Sequence, residues 1–329
     1  MKNYQDIFDE LISNHNIHSD DKIYTEFFDT FVSDTSQEII KTLNESFNSY
    51  LDKENIQAEQ FIARNFLRWK NLFNLFNLLI KCCTESIEIF LERNKENLEN
   101  SLFNTLIQLH AKACLLSNEI LWLCKGGYAD GAHARWRSLH EITCTSLFIT
   151  KHGEDCAERY IAHSLIDDIN FYKEYEKYKN RIKMEFNYDK ELIDHQFKEL
   201  TKLFGSNFKN NYGWAEKFFH QNHRVGFASI EKNVDLDHFK PFYKWSSQSI
   251  HAVSLNLQQN LAMSEASEKI LLIGSSNSSM SLPISSSAIS LSILTINLLN
   301  YEPIIDDLIS MNVIQFYLNQ IESTILEKS

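Results

Sequence analysis

The stretch GGYADGAHARWRSLHEITCTSLFI, residues 126–149, decides the fold of this chain. Its two leading glycines allow a sharp turn after the apolar run LWLCK, residues 121–125. The stretch has no proline, and no glycine follows Gly131, so it predicts one uninterrupted helix. Ala134, Leu139, Ile142 and Leu147 are spread around its circumference. We therefore expect a mostly buried helix around which the rest of the chain is arranged.

One side of the predicted helix carries polar groups. At about 100° per residue, His133, Arg137 and Glu141 fall in one row, with His140 and Cys144 beside them. A buried arginine, carboxylate or imidazole is costly unless it has a partner. The row therefore predicts polar partners on another element.

The composition favours an all-α fold. Among 329 residues there are only eight glycines and three prolines, too few turn-formers for a sheet-rich fold. We predict a multi-helix bundle of long antiparallel helices, roughly eight to eleven in number. Helical spacing of apolar residues predicts helices over about 54–93, 102–125, 156–179, 285–300 and 303–327, and the serine-rich segment 273–287 is predicted to be a loop. Residues 1–54 are predicted to be an acidic helical N-terminal appendage, and residues 55–329 a bundle core that carries the polar site.

Several classes of function are disfavoured by composition and motifs. A formal charge of −12 opposes a broad nucleic-acid-binding face, although it allows a local basic pocket. The six cysteines show no CxxC spacing, and HExxH, Walker and GxGxxG patterns do not occur, so we predict neither metal nor cofactor. With no signal-peptide pattern and no long uninterrupted apolar run, we expect a cytoplasmic protein without a membrane span.

A second helix is predicted for FYKWSSQSIHAVSLNLQQNLAMS, residues 242–264. Tyr243, Ser247 and His251 are spaced i, i+4 and i+8, so a phenol, a hydroxyl and an imidazole share one face. If this face meets Arg137 and Glu141, the site holds a base, a cation and a carboxylate. The alternative is a buried hydrogen-bond network that fixes the register of the helices.

Four segments carry a family resemblance: GGYADGAHARWRSLHEI, ERYIAHSLID, FKNNYGWA and YKWSSQSIHA. In that order they resemble the bacterial domain-of-unknown-function family 5677, over roughly residues 55–300. The family pattern has Arg-x-x-x-Glu, then Tyr-Gly-Trp, then Tyr-x-x-x-Ser-x-x-x-His. The resemblance implies that Arg137 and Glu141 form the first pair, and Tyr243, Ser247 and His251 the last trio. It implies no particular reaction.

The chain is also similar, more loosely, to the HEPN ribonucleases of bacterial defence and toxin systems. Those proteins are helical bundles, commonly dimers, with an Arg-x(4–6)-His motif. Arg135 and His140 have that spacing, but they point about 140° apart on a straight helix. Arg135 and His140 are therefore only secondary candidates for the site. The other secondary candidates are His133 of the polar row and Tyr160 of the segment ERYIAHSLID.

Two hypotheses follow for the function. The first is a metal-independent RNA endonuclease of a defence or toxin system, with RNA as its partner. His251 is its general base on a ribose 2′-hydroxyl, Arg137 stabilises the phosphate, and Tyr243 positions the phosphate or protonates the leaving oxygen. The alternative is a non-catalytic helical module that binds a protein partner or antitoxin, with a structural polar cluster. For either we expect a homodimer.

Overall fold

A computed structural model describes residues 9–10, 13, 25–220, 225–248, 250, 261–266 and 272–327. The chain divides into two compact units, Met1–Leu67 and Arg68–Ser329. In the first unit the described residues are helical. The second unit holds the motifs discussed above. The predicted boundary after residue 54 stays a prediction.

Nine α-helices with defined bounds occur in the described part of the chain, and no strand occurs there. This confirms the all-α, multi-helix prediction. The helices are α1 (Thr25–Arg93), α2 (Ser101–Lys125), α3 (Ala129–His152), α4 (Glu154–Tyr178), α5 (Lys190–Phe204), α6 (Phe227–Asn233), α7 (Lys240–Gln248), α8 (Ser281–Leu299) and α9 (Ile305–Leu326).

Two helices extend further than their sequences suggested. We expected the serine-rich segment 273–287 to be a loop, yet α8 already begins at Ser281. Pro283 is tolerated there because the first turn of a helix has no intrahelical partners for its N–H groups. Likewise, the helix expected over 54–93 begins at Thr25. Helical spacing continues through this acidic part of the sequence, and no glycine or proline stops it.

Helix α3 is the central element of the second unit. It packs against α2, α4, α6, α7 and α8. Its largest side chain, Trp136, is fully buried. The prediction that the fold is arranged around residues 126–149 is confirmed.

Small and polar groups connect α3 to α8. The indole Nε1–H of Trp136 donates to Ser290 Oγ at 3.0 Å, and the Thr143 hydroxyl donates to the Ser290 carbonyl at 3.2 Å. Asn297 Nδ2 donates to Thr150 Oγ1 at 2.8 Å further along the same pair. These bonds fix the register of the two helices that form the middle of the core.

The turn between α2 and α3 depends on Gly127. Its φ is +86°, in the left-handed region where side chains with a Cβ are disfavoured. The amide of Tyr128 closes the end of α2 by donating to the Leu123 carbonyl at 2.9 Å. The two glycines predicted a sharp turn here, and this tight connection brings α2 and α3 into contact with each other.

One described helix, α8, is long and apolar enough to cross a membrane by length and composition alone. Within its most apolar window, 67% is buried inside the protein. A buried core helix passes the same test, so this is weak support for a span. The absence of a membrane span stays a prediction.

Candidate functional site

The members of the polar row of α3 have different polar partners, although their surroundings touch: the His140 ring lies 5.9 Å from the ring of Tyr243, and Trp136 contacts the rings of both His133 and His140. Arg137 and Glu141 face α7, His140 is buried against α6, and His133 is buried between two tryptophans. Only the first of these environments reaches the surface.

Arg137, Glu141 and Tyr243 form the cluster that we call the α3–α7 cluster. Arg137 Nε donates to Glu141 Oε1 at 3.1 Å, and the Tyr243 hydroxyl donates to the same carboxylate oxygen. The guanidinium carbon of Arg137 lies 4.7 Å from the centre of the Tyr243 ring. The Arg137 and Glu141 side chains are 26% and 36% exposed, so solvent reaches the cluster.

Burial and hydrogen bonding fix the protonation of the α3–α7 cluster. Burial, followed by the hydrogen bond and charge of Glu141, raises the pKa of Tyr243, so its phenol stays protonated at neutral pH. Burial alone would lower the pKa of Arg137, but Tyr243 and Glu141 outweigh it and raise this pKa. The cluster therefore combines a permanent cation with a phenolic proton donor.

Tyr212 lies near the α3–α7 cluster and was not among the predicted site residues. Burial first, then the charge of Glu141, raises the pKa of Tyr212, while Arg137 opposes the shift. Tyr212 thus lies within electrostatic range of both α3 residues. The signal was present in the sequence as the Tyr-Gly-Trp motif, but nothing in its spacing showed that the loop folds back on α3.

A glycine is required next to Tyr212. A Cβ at Gly213 would lie 2.2 Å from the carbonyl oxygen of Phe208, which is far inside van der Waals contact. The chain therefore makes its close approach at this position only because Gly213 has no side chain. The approach gives the 210–214 loop its shape.

Helix α4 holds the 210–214 loop through backbone carbonyls. Arg159, which is buried, donates from Nε to the Trp214 carbonyl at 3.0 Å and from Nη2 to the Gly213 carbonyl at 3.4 Å. His163 Nε2 donates to the Asn210 carbonyl at 2.8 Å. The motif ERYIAH thus acts as the support of the motif NNYGW.

Tyr160, a secondary candidate, belongs to this support. Its ring packs edge-on against Trp214 at 5.0 Å between centres. Burial, with a smaller contribution from Asp167, raises its pKa. Tyr160 is therefore placed beneath the loop and not in the α3–α7 cluster.

His140 makes a buried contact with a residue that the sequence did not single out. His140 Nε2 lies 3.0 Å from Glu231 Oε1, and their side chains are 1% and 2% exposed. Burial lowers the pKa of His140 to about 4 and raises the pKa of Glu231. The thiol of Cys144 lies 3.6 Å from the same ring nitrogen. This group joins α3 to α6 inside the protein.

His133 is fully buried and packs only against rings. It stacks on Trp136 at 5.3 Å and meets the edge of Trp245 at 5.9 Å. Neither ring nitrogen has a hydrogen-bond partner among the residues that the structure describes. Burial lowers the pKa of His133 to about 4. It is a core residue in this arrangement.

Arg135 and His140 do not come together. Arg135 Nε donates to Glu119 of α2 on the outer side of α3, while His140 is buried against α6. The two side chains diverge, as their 140° separation on the helix predicted. The spacing that resembles the HEPN motif therefore does not form a shared site.

The last trio is described only in part. The Ser247 hydroxyl donates to the backbone carbonyl of Tyr243 at 2.8 Å, a bond within α7. Helix α7 ends at Gln248, whereas we expected one helix to residue 264. Residues 261–263 form a separate 3-10 turn, and His251 lies outside the described residues.

A cleft of about 1240 Å³ is lined in part by Tyr212, but by none of Arg137, Glu141 and Tyr243. It lies between α4, the start of α5 and the 209–213 segment. Its lining is mostly polar, with lysines, carboxylates and asparagines. Over the described residues, no group of three or more His, Cys, Asp or Glu side chains is arranged to hold a metal ion.

The fold and the site define a class of protein: an all-α bundle whose central helix presents an Arg-x-x-x-Glu pair to a tyrosine of a later helix. The chain belongs to the family of unknown function DUF5677, whose model matches residues 103–269, just over half of the 329 residues. That range contains all four motif segments. Neither the curated proteins nor the solved structures gave a match.

Proposed function

We propose that this protein is a metal-independent RNA endonuclease of a bacterial defence or toxin system, with a chemistry like that of HEPN ribonucleases. The α3–α7 cluster is the observation that supports this proposal. It presents a part-exposed guanidinium beside a protonated phenol. These are groups suited to stabilising a phosphate that gains negative charge.

Each proposed step uses a side chain of the chain itself. The 2′-oxygen of a ribose attacks the neighbouring phosphorus, and the bond from phosphorus to the 5′-oxygen breaks. His251 takes the proton of the 2′-hydroxyl, and the departing 5′-oxygen takes a proton from solvent water, which reaches the cluster. Arg137 uses Nε on Glu141, which leaves its Nη groups to donate two parallel hydrogen bonds to the phosphate. The products carry a 2′,3′-cyclic phosphate and a 5′-hydroxyl.

The roles of the tyrosines follow from their protonation. Because its pKa is raised, Tyr243 keeps its one O–H proton, which is donated to Glu141 in the free protein; in the proposed complex with RNA this O–H turns to a phosphate oxygen and positions it. Glu141 holds both Arg137 and Tyr243 and is therefore a positioning residue. Ser247, whose hydroxyl bonds to the helix backbone, has no direct role in the proposal.

The test compares two arginines of the same helix. We expect Arg137→Ala and His251→Ala to slow RNA cleavage by about 10²–10⁴-fold in the presence of EDTA. Arg135→Ala is the matched control, because it removes the same side chain two residues away, where it pairs with Glu119. It should cut at the wild-type rate. Thermal melts of all variants check that they fold.

Two results would overturn the proposal. One is a wild-type protein that leaves a broad panel of RNAs intact. The other is full activity of both Arg137→Ala and His251→Ala. If Arg135→Ala is the inactive variant instead, the HEPN-type spacing carries the chemistry and our assignment of Arg137 is wrong.

A second candidate function is a protein-binding module. Its supporting observation is that Arg137, Glu141 and Tyr243 already bond to one another, as members of a structural network do. On this hypothesis Arg137→Ala lowers the stability and no RNA is cut. We also propose that the protein is a cytoplasmic homodimer under either function, and that it binds a protein partner or an antitoxin. Light scattering at micromolar concentration measures the dimer.

A further inference from the structure

Some of the charged side chains that line the cleft beside Tyr212 form ion pairs with neighbouring residues, and others do not. Lys177 pairs with Glu174 at 2.5 Å, and Glu176 pairs with Lys179 at 3.1 Å. Lys190 and Lys209 line the cleft without an ion pair to any described residue, as do the carboxylates of Asp194 and Glu216, and Lys190 lies within electrostatic range of Glu176. Both lysines are exposed, so their charges are available to a ligand.

The remaining lining suits flat, polar groups. Asn170, Asn210 and Asn211 supply amides that both donate and accept hydrogen bonds, and the part-exposed Tyr212 supplies an aromatic ring. Unstacked nucleic-acid bases are recognised by this combination of amide edges and aromatic faces, while lysines contact the phosphates. An apolar peptide would find little matching surface here.

The size and position of the cleft limit the kind of ligand that it can bind. Its volume, about 1240 Å³, is somewhat above the roughly 300–1,000 Å³ of small-molecule pockets. Tyr212 belongs both to its wall and to the surroundings of Arg137 and Glu141. Tyr212 is therefore the residue through which a ligand in the cleft comes nearest to the electrostatic field of Arg137 and Glu141.

We infer that this cleft binds RNA as a single strand, with Lys190 and Lys209 on its phosphates, and leads the strand to Arg137. This inference deepens the proposed function and rests on it for the cleavage step, but binding is measured separately. A duplex keeps its bases paired and stacked, so it cannot use the amides and the aromatic ring of the cleft.

The experiment uses the full-length protein and a fluorescent oligoribonucleotide with 2′-O-methyl groups throughout, which cannot be cut through the 2′-oxygen. Fluorescence anisotropy gives Kd for the single strand and for the same strand in a duplex, over a range of salt concentrations. The variants are wild type, K190E/K209E, and K198E. The last is the matched control, since Lys198 is an exposed lysine of α5 outside the cleft.

We expect K190E/K209E to raise Kd about tenfold or more, and K198E to leave it within about twofold. Loss of two phosphate contacts should also reduce the slope of log K against log salt by about 1.4, at about 0.7 per contact for a single strand. The duplex should bind more weakly than the single strand. Thermal melts show whether K190E/K209E is folded.

The outcomes separate this inference from the proposed function. No binding by wild type, equal binding by K190E/K209E, or tighter binding of the duplex would overturn the inference. If K190E/K209E cuts cleavable RNA at the wild-type rate, the inference about the cleft is also overturned, while the proposal that the protein is an endonuclease is retained. Cleft-dependent binding without any cleavage would support the inference and reject the endonuclease.

Discussion

The α3–α7 cluster joins one local contact to one distant contact. Arg137 and Glu141 are four residues apart on α3, so their pairing follows from helix geometry. Tyr243 reaches Glu141 from 102 residues further along the chain. The distant contact is the more informative one, because it fixes where α7 lies on α3.

Tyr243→Phe tests that contact. The change removes one hydroxyl and leaves the ring that packs on Arg137. We expect a loss of about 1–2 kcal/mol in the free energy of unfolding, since a hydrogen bond to a charged group is lost. Urea denaturation measures it. Tyr128→Phe, at a half-exposed tyrosine, is the control and should change nothing; an equal effect of both would contradict the assignment.

Sequence predicted some of these residues and missed others for a clear reason. Helical periodicity gives contacts within a helix, and it placed Arg137 with Glu141 and turned Arg135 away from them. It gives no information on which helix packs opposite. Glu231 therefore went unnoticed, although it contacts His140 across 91 residues of sequence. Tyr212 was missed for the same reason.

At the scale of elements, the scarcity of glycine and proline made the helices predictable. The predicted bounds of α2, α4 and α9 lie within about two residues of the observed ones. The errors fall at the start of α1, where the sequence has no stop signal, and at the start of α8, where the serine-rich segment was expected to be a loop. The support of the 210–214 loop by α4 was not predictable, because its acceptors are backbone carbonyls.

Gly213→Ala tests the loop as an element. The new Cβ would meet the Phe208 carbonyl, so the loop must move, and Arg159 loses its acceptors. We expect a loss of about 2 kcal/mol or more in the free energy of unfolding and a loss of RNA cleavage. Gly274→Ala is the control, because its Cβ would meet nothing within 4 Å. Wild-type melting of Gly213→Ala would show that the loop is not held as described.

At the scale of the whole molecule, three buried histidines make stability depend on pH. Burial lowers the pKa of His110, His133 and His140 to about 4, from an ordinary value of 6.5. The folded protein then binds fewer protons than the unfolded chain between these values. Stability is full above pH 6.5 and falls as the pH drops towards 4. By pH 5 each histidine has lost about 2 kcal/mol of its contribution.

Urea denaturation at pH 7 and pH 5 measures this loss. His133→Leu removes one of the three titrating groups and keeps an apolar side chain between the tryptophans. We expect the pH-dependent loss to be smaller in His133→Leu by about 2 kcal/mol. His195→Leu, at an exposed histidine, should keep the wild-type dependence. A His133→Leu variant with the same dependence as wild type would reject the assignment.

Because α4 holds the 210–214 loop through its backbone, the conformation of the loop and its ligand specificity can evolve independently. Arg159 and His163 grip main-chain oxygens, which every amino acid possesses. Residues 210 and 211 can therefore be substituted without a change in the conformation of the loop, provided that Gly213 is retained. Proteins with the same fold can therefore differ in the ligands that they bind. For the same reason, Asn210 and Asn211 are suitable first positions for directed evolution, because their substitution should leave the fold intact.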